Sequence, residues 1–572
     1  MKDAYPPRPA LPTDWLVPEH QQPEYLALPG LALDDSTNLG VELSDAQVAA
    51  GRGHLVALIH HESGERVTYA ALAARSDQVA ATLIRLGLRV GDRVALRGPN
   101  RPALVEAALG AWKAGAVVVP TPAQARAGEL AFFLSDTRPA LLLTATDAEI
   151  VEQVPIALAD LDGPPPLVLT VGAATAESAA TGYGSWEVAL AVETDHRRAA
   201  ANDQRFSGDD VAVVWHTGGT TGLPKGCYHT HRRFLLAGHA LGRALGTEPG
   251  EVWAAAAPMG HALGFIHSTI FTLLHGVTLV LVERFTDADH VLDAIGTHRV
   301  TTFTAITASW SRLLEALEAR PEGEAAGPTA TLTRGFAMWQ CASATAVYDG
   351  WRRHGVELLN NFGSTAFATW VLVPHGPGRV PPARLGRPAP GYEVICVDPD
   401  ATDREGLVPS ATGAPGRMAV RGPSGLTYWR RPDLQVRDVV GGWTLVDDLI
   451  QYDEAGFAAY LGRTDLLIST AGYKVAPVEV ESVLATHPAV REVAVLGLPD
   501  PDRQQVVAAF VAVNEGHAPD DELRRELQDL VKRELSPYKY PRYVEFVGAL
   551  PRDHVGKVQP RLLTRSPAGS TS

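Results

Sequence analysis

Between residues 70 and 320, amphipathic helical stretches alternate with short unbroken apolar runs, a rhythm that restricts the chain to sheets covered by helices. Spacing predicts helices over 70–86, 103–113, 288–297 and 309–319. It predicts strands over 93–96, 116–119, 277–282 and 301–306. The pattern changes after residue 463, where a short helix (478–485), two strand-like runs (492–496 and 506–513), a charged helix (520–535) and a last strand (543–547) follow. At 572 residues the chain exceeds one ordinary core. The expected class is therefore α/β: a large N-terminal domain of helix-covered β-sheets over 1–464, then a small mobile C-terminal α+β lid over 465–572. The seam is the polar string Gly462-Arg-Thr-Asp465, and the proline-rich first 50 residues are expected to drape over the large domain.

Composition narrows the function. A formal net charge of −15 without a long basic run argues against a nucleic-acid footprint. Cys227, Cys341 and Cys396 lie far apart without metal-ligand spacing, as expected of reduced thiols. No apolar run reaches membrane-spanning length, and the opening Met-Lys-Asp-Ala-Tyr-Pro-Pro lacks a signal-peptide core. A cytoplasmic enzyme without membrane insertion is expected, and a homodimer is compatible with the sequence.

The strongest chemical signal is Thr217-Gly-Gly-Thr-Thr-Gly-Leu-Pro-Lys-Gly226, which follows the apolar run 211–215. Gly218, Gly219 and Gly222 permit close backbone approach to a phosphate, Thr217, Thr220 and Thr221 add hydroxyls, and Lys225 adds a cation. In the Walker loop the lysine directly follows the last glycine, whereas here Pro224 precedes it. An ordinary P-loop hydrolase is thereby disfavoured. Four further strings follow in order: Pro258-Met-Gly-His261 with Gly264; Asn360-Asn-Phe-Gly-Ser-Thr365; Gly442-Trp-Thr-Leu-Val-Asp-Asp448 with Gly462-Arg-Thr-Asp465; and Pro551-Arg-Asp-His-Val-Gly-Lys557.

Read together, the five strings resemble the acyl-adenylate-forming superfamily of acyl-CoA synthetases, peptide-synthetase adenylation domains and luciferases. The resemblance implies that Thr217–Gly226 grips the β- and γ-phosphates of ATP. It also implies that His261, Gly264, Trp339 and Gly363 line the acid pocket; His261 reads equally well as a satisfied core histidine. Asn361, Phe362 and Thr365 belong to the adenine and α-phosphate turn, with Phe362 stacking on adenine and the Thr365 hydroxyl reaching the α-phosphate. Ser343, within Cys341-Ala-Ser-Ala344, falls where relatives place small residues at the adenine edge. Asp448 and Arg463 suit the ribose hydroxyls, Asp465 is the hinge, and Gly472 adjoins the path of the thiol. Lys557 bridges carboxylate and α-phosphate, where an ammonium stabilises gathering negative charge. Lys557, Thr365 and Lys225 are thus the candidate catalytic residues. Without this context Glu479 and Glu481 pass as a solvated helix start.

One departure matters. Ala366 stands where the family has a magnesium-binding glutamate, and a methyl group cannot ligate a hard cation. The metal ligands are therefore unassigned, with the triphosphate, waters, Thr220, Thr221 or Asp447 as substitutes. The resemblance is strongest to benzoate and aminobenzoate CoA ligases. It implies ATP, Mg²⁺ and coenzyme A as cofactor and co-substrates, with an aromatic acid as substrate and Trp215, His216 and Phe367 as further candidate pocket walls. Two alternatives stay open: a diazotase that activates nitrite and passes it to an aryl amine, or an amide-forming ligase. A degenerate nucleotide sensor is a third reading, disfavoured by retention of the charged residues.

Overall fold

The computed structural model describes residues 11–192, 207–217, 224–321, 329–338, 345–376, 380–381, 384–403, 406–411, 413–470, 473–500, 503–552, 558–559 and 562–563. Among them the strands form four sheets, of seven, nine, six and five strands. The seven-stranded sheet runs Gly184–Ser185, Leu167–Val171, Leu141–Ala145, Arg93–Arg97, Val117–Thr121, Val211–Thr217, Lys225–Thr230; it is parallel except for the last strand. The nine-stranded sheet has a parallel centre, Glu357–Ser364, Arg334–Met338, Thr302–Ile306, Val252–Ala255, Thr278–Leu281 and Val56–His60, with antiparallel edges. Both centres are near-continuous apolar runs, as strands covered on two faces require.

The covering helices form where the periodicity predicts, with ends displaced by one or two residues. Tyr69–Arg85 starts at Thr68, whose hydroxyl accepts from the Ala71 N–H. Pro102–Lys113 places proline in its first turn, where no helical N–H is lost. The two helices touch at Gly110, where a Cβ would meet Val79 Cγ1 at 2.2 Å and the Ser76 carbonyl at 2.7 Å. Trp112, fully buried, donates its indole N–H to the Ala212 carbonyl at 2.8 Å. That bond ties the helix to the strand leading into the glycine-rich loop.

Two features depart from the expectation. Strand Val211–Thr217 runs two residues further than read and turns back in an antiparallel hairpin, with Thr217 opposite Lys225. Residues 393–463 build an antiparallel six-stranded sheet that the helix–strand rhythm gave no sign of. Sheet membership then changes: Ala458–Arg463 ends the six-stranded sheet, a 3₁₀ turn spans Thr464–Leu466, and Ile468–Thr470 opens the five-stranded one. In that last sheet Val490–Asp500 and Gln504–Val513 form a long hairpin, and helices Pro477–Leu484 and Asp521–Glu534 contribute to a core with Ile468, Val495 and Val511. Among the described residues of the proline-rich opening, Trp15 and Val17 are buried against the large unit.

Candidate active site

The return strand of the hairpin, Lys225–Thr230, carries the first constellation. Successive side chains alternate across a strand, so Lys225, Cys227 and His229 share a face. His229 donates from Nε2 to the Thr365 carbonyl at 2.7 Å, and the Cys227 thiol approaches the same oxygen at 3.6 Å. The turn holding Thr365 is therefore docked against the strand that leaves the glycine-rich loop. Burial pushes the His229 imidazole down to about 4 and the Cys227 thiol up to about 12, so both are neutral at physiological pH. Thr365 begins a 3₁₀ turn, Thr365–Phe367, in which the Ser364 hydroxyl accepts from the Ala366 N–H at 3.2 Å. On the strand's other side Gly226 abuts Trp429, where a Cβ would stand 2.9 Å from the Trp429 Cβ.

The segment after Pro258 is fixed between the two large sheets. The Asn100 carboxamide donates to the Ala257 carbonyl at 3.0 Å and the Val282 carbonyl at 3.1 Å, and its oxygen accepts from the Met259 N–H at 2.8 Å. A Cβ at Gly264 would lie 2.3 Å from the Pro258 carbonyl oxygen, so the chain folds tightly back on itself there. His261 is exposed, and its Nδ1 accepts from the Leu263 N–H at 3.3 Å. It is not a core histidine. Trp215 and Phe367, in contrast, are buried in the core, and His216 is held by Asp136 at 2.9 Å. These three pack the fold instead of walling a pocket: Trp215 lies against Phe234 and Phe265, and His216 against Phe133.

A second constellation lies on the six-stranded sheet. Asp448 and Arg463 are cross-strand neighbours, their charged ends 3.9 Å apart. The Tyr460 hydroxyl donates to Asp448 at 3.0 Å, and the Tyr460 ring stacks near Phe362, with centroids 6.3 Å apart and planes at 28°. Phe362 and the Asp448–Arg463 pair, distant in sequence, thus share one neighbourhood. Gly363 stands where a Cβ would meet the Thr369 carbonyl at 2.5 Å. Asp447 faces Arg417 at 3.0 Å and Arg463 at 3.7 Å.

Among the described residues, those of the Thr365 turn and of the Asp448–Arg463 pair offer no magnesium ligand set; His60, Glu62 and Glu283 do bring their ligand atoms within 4.8 Å of one another, but outside these strings. Ala366 is buried, its methyl group in an apolar cluster with Phe362, Phe367 and Trp370. Asp447 already faces two guanidinium groups, which disfavours it as the substitute ligand. These residues do not fit a resident divalent cation.

Other expected residues divide between the described and the undescribed. Lys225 is half-buried in its strand, and Asp465 lies in the 3₁₀ turn between sheets. Glu479 pairs with Lys539 at 2.8 Å. Glu481 is half-buried, accepts from the Val495 N–H at 2.8 Å, and is pushed up to about 7 by desolvation, so it is no solvated helix start. Gly218, Gly219, Thr220, Thr221, Gly222, Trp339, Ser343, Gly472 and Lys557 lie outside the described residues, as do the side chain of Thr217 and that of Asp465. Sequence reasoning missed Asn100, Tyr460 and His229. That His229 stands four residues after Lys225 of the glycine-rich string was the one legible hint.

With this geometry in place, comparison with known proteins is informative. A family model described as AMP-binding enzyme matches residues 45–429, and one described as AMP-binding enzyme C-terminal domain matches 479–557. The benzoate–CoA ligase of Thauera aromatica is 29% identical over 543 residues, spanning 93% of this chain and 96% of that protein. Among solved structures, the anthranilate CoA ligase AuaEII in complex with anthranoyl-AMP has a TM-score of 0.79 at 25% identity, covering 92% of this chain and 96% of that one. The amide bond synthetase McbA from Marinactinospora thermotolerans has a TM-score of 0.75 at 26% identity, covering 92% and 99%. The α/β class with a large sheet-bearing unit and a small C-terminal unit is the architecture these proteins share with the chain.

Proposed function

The chain belongs to the AMP-binding enzyme family, the adenylate-forming ligases, and on that premise we propose that it activates an aromatic carboxylic acid and transfers it to coenzyme A. In the first half-reaction a carboxylate oxygen attacks the α-phosphorus of ATP and the bond to pyrophosphate breaks. In the second, a thiolate attacks the acyl carbon and AMP leaves. Thr217–Gly226 with Lys225 holds the β- and γ-phosphates, Thr365 the α-phosphate, Phe362 the adenine, and Asp448 with Arg463 the ribose. Lys557 bridges the reacting oxygens, and the unit beyond Asp465 turns between the half-reactions, bringing Gly472 to the thiol. Magnesium enters with the nucleotide as part of the substrate.

The observation that carries this reading is the docking of Thr365 onto the strand leaving the glycine-rich loop, through His229. It supports a single seat for a triphosphate, with one end at the loop and the other at Thr365. The test is mass spectrometry of the purified protein with ATP and a panel of aromatic and aliphatic acids, with and without coenzyme A. An AMP-linked aromatic acid is expected without the thiol, and its thioester with it. Lys557→Ala should abolish the AMP-linked product while still converting supplied acyl-AMP to thioester. Unchanged adenylate formation in that variant would sink the assignment.

A second reading changes the acceptor to an amine, supported by the likeness to an amide bond synthetase. Amide formation outpacing thioester formation when both nucleophiles are present would establish it. A nitrite-dependent diazo absorbance with an aminobenzoate would instead favour the diazotase alternative.

A further inference from the structure

Strands Val56–His60 and Thr278–Leu281 are parallel neighbours with His60 opposite Leu281, so the residues just past both strands emerge side by side. Glu62 lies in the hairpin turn after the first strand, and Glu283 follows the second. His60 Nε2 stands 2.9 Å from Glu283 Oε1 and 3.3 Å from Glu62 Oε2. The three ligand atoms all fall within 4.8 Å of one another. Two ligands on one zinc ion, each about 2.1 Å from it, are themselves about 3–3.4 Å apart. The imidazole already stands at that spacing from each carboxylate.

Neighbouring groups fix the direction of each side chain. Glu62 Oε1 accepts the backbone N–H of Glu283 at 2.8 Å and the His290 Nε2–H at 2.9 Å, which turns Oε2 toward His60. The His290 proton sits on Nε2 because Arg284 donates to Nδ1 at 2.7 Å, and a guanidinium cannot accept. Arg101 holds the two oxygens of Glu283, each at 2.8 Å, and shares itself with Asp147 at 2.9 and 3.0 Å. Ser63 Oγ lies 2.8 Å from His60 Nδ1, placed to accept from it and so to free the Nε2 lone pair. Glu62, Glu283 and Asp147 oppose Arg101, while Arg284 is matched by Asp287 at 3.6 Å, so the local charge favours a cation. Without an ion, one imidazole N–H serves two carboxylate oxygens.

We propose that His60 Nε2, Glu62 Oε2 and Glu283 Oε1 bind one divalent transition-metal ion of zinc's kind, with water completing its coordination. An imidazole beside two carboxylates suits such an ion, whereas magnesium and calcium prefer oxygen ligands throughout. On binding, the imidazole proton leaves Nε2 and returns on Nδ1, where the Ser63 oxygen accepts it. The ring stays neutral and no net proton is released. The side chains of His60, Glu62 and Glu283 are 10%, 22% and 18% exposed, which leaves the ion a path of entry. The bound ion pins the turn after His60 to the end of strand Thr278–Leu281, and its binding energy adds to the stability of the fold. It is separate from the magnesium that accompanies the nucleotide, because none of its ligands belongs to the strings assigned to ATP.

The test titrates the full chain, stripped with a chelator and dialysed, with the chlorides of zinc, manganese, magnesium and calcium, and counts bound metal by elemental analysis. One zinc per chain is expected, held at least about tenfold more tightly than magnesium or calcium. Zinc at a hundredfold excess over its dissociation constant should raise the melting temperature by about 2 °C or more. His60→Gln still has an amide to donate to Glu283 but offers no imidazole. It should bind zinc about 100-fold more weakly and lose the melting shift. Ser63→Ala should weaken zinc binding by about tenfold, and it carries the test should His60→Gln not fold. His61→Gln, which removes the adjacent His61–His298 contact at 3.1 Å, should leave zinc affinity unchanged. Failure of wild type to retain one zinc per chain overturns the proposal, since the cluster is then an ion-pair network only. So does full zinc affinity in His60→Gln, a greater loss in His61→Gln than in His60→Gln, or equal affinity for magnesium.

Discussion

His229 spends its only described hydrogen bond on the Thr365 carbonyl, and its Nδ1 has no partner among the described residues. The bond needs the neutral tautomer with hydrogen on Nε2, and burial secures neutrality by holding the imidazole at about 4. Removing the donor leaves a buried carbonyl with only a weak thiol contact, which costs about 1–3 kcal/mol. Part of that cost should fall on the position of Thr365. His229→Leu is therefore expected to slow adenylate formation by about tenfold, with most of the loss in kcat, and His229→Gln to recover part of it because its amide can still donate. Stopped-flow pyrophosphate release measures both. Ala366 lends itself to a complementary experiment. A glutamate there restores a carboxylate but overfills an apolar cluster, at a stability cost of about 1–3 kcal/mol. Ala366→Glu should lower the magnesium concentration giving half-maximal pyrophosphate release, and coincident magnesium curves would show that residue 366 does not govern metal dependence.

At the scale of elements, strand Lys225–Thr230 and helix His231–Leu245 together hold three neutral histidines, His229 and His231 buried and His239 half-buried. Burial puts His229 and His239 at about 4 and His231 at about 3, against an ordinary value near 6.5. Their folded pKa values are depressed, so the unfolded chain binds more protons in mildly acidic solution. Their neutral burial is harmless above about pH 6.5 and costs stability as pH falls toward 4. With three groups their joint contribution to the slope is about 4 kcal/mol per pH unit across that window. Urea unfolding at pH 7.5, 6 and 5 measures it, and His229→Gln should lower the slope by about 1.4 kcal/mol per pH unit. These elements also mark what the sequence could yield. Helices such as Ala288–Thr297 and buried parallel strands such as Thr302–Ile306 were legible, since one pattern is a 3.6-residue stripe and the other an unbroken apolar run. The antiparallel sheet was not. Its strands mix buried and part-exposed positions without a strict period and carry charged residues, Arg417 in Gly416–Arg421 and Asp447 and Asp448 in Trp443–Tyr452, so they offer no continuous apolar run. The motif strings identified Thr365, Asp448 and Arg463 as candidates, but the His229–Thr365 bond joins residues 136 positions apart and had no local signal.

For the whole molecule, the decisive feature is how the apolar cores are divided. Every buried residue of the two clusters beyond the Thr464–Leu466 turn comes from that side of it: Ile468, Val475, Leu484, Val495, Val511, Leu527 and Val544 in one, Ala494, Phe510 and Leu550 among those of the other. A unit whose core comes entirely from its own residues should fold alone, and 465–572 is of ordinary domain size. Expressed separately, that segment is expected to give a mixed helix and strand circular-dichroism spectrum and one cooperative urea transition. The complementary segment 1–464 keeps Lys225, Thr365, Asp448 and Arg463 but lacks Lys557. It should bind ATP yet form AMP-linked acid at least about 100-fold more slowly than the full chain, the loss expected when a cation at the developing charge is removed. Adding the isolated small unit in trans should restore part of the rate. A non-cooperative 465–572 would mean that the small unit needs the surface of the large one, and full adenylation by 1–464 would move the chemistry off Lys557 altogether.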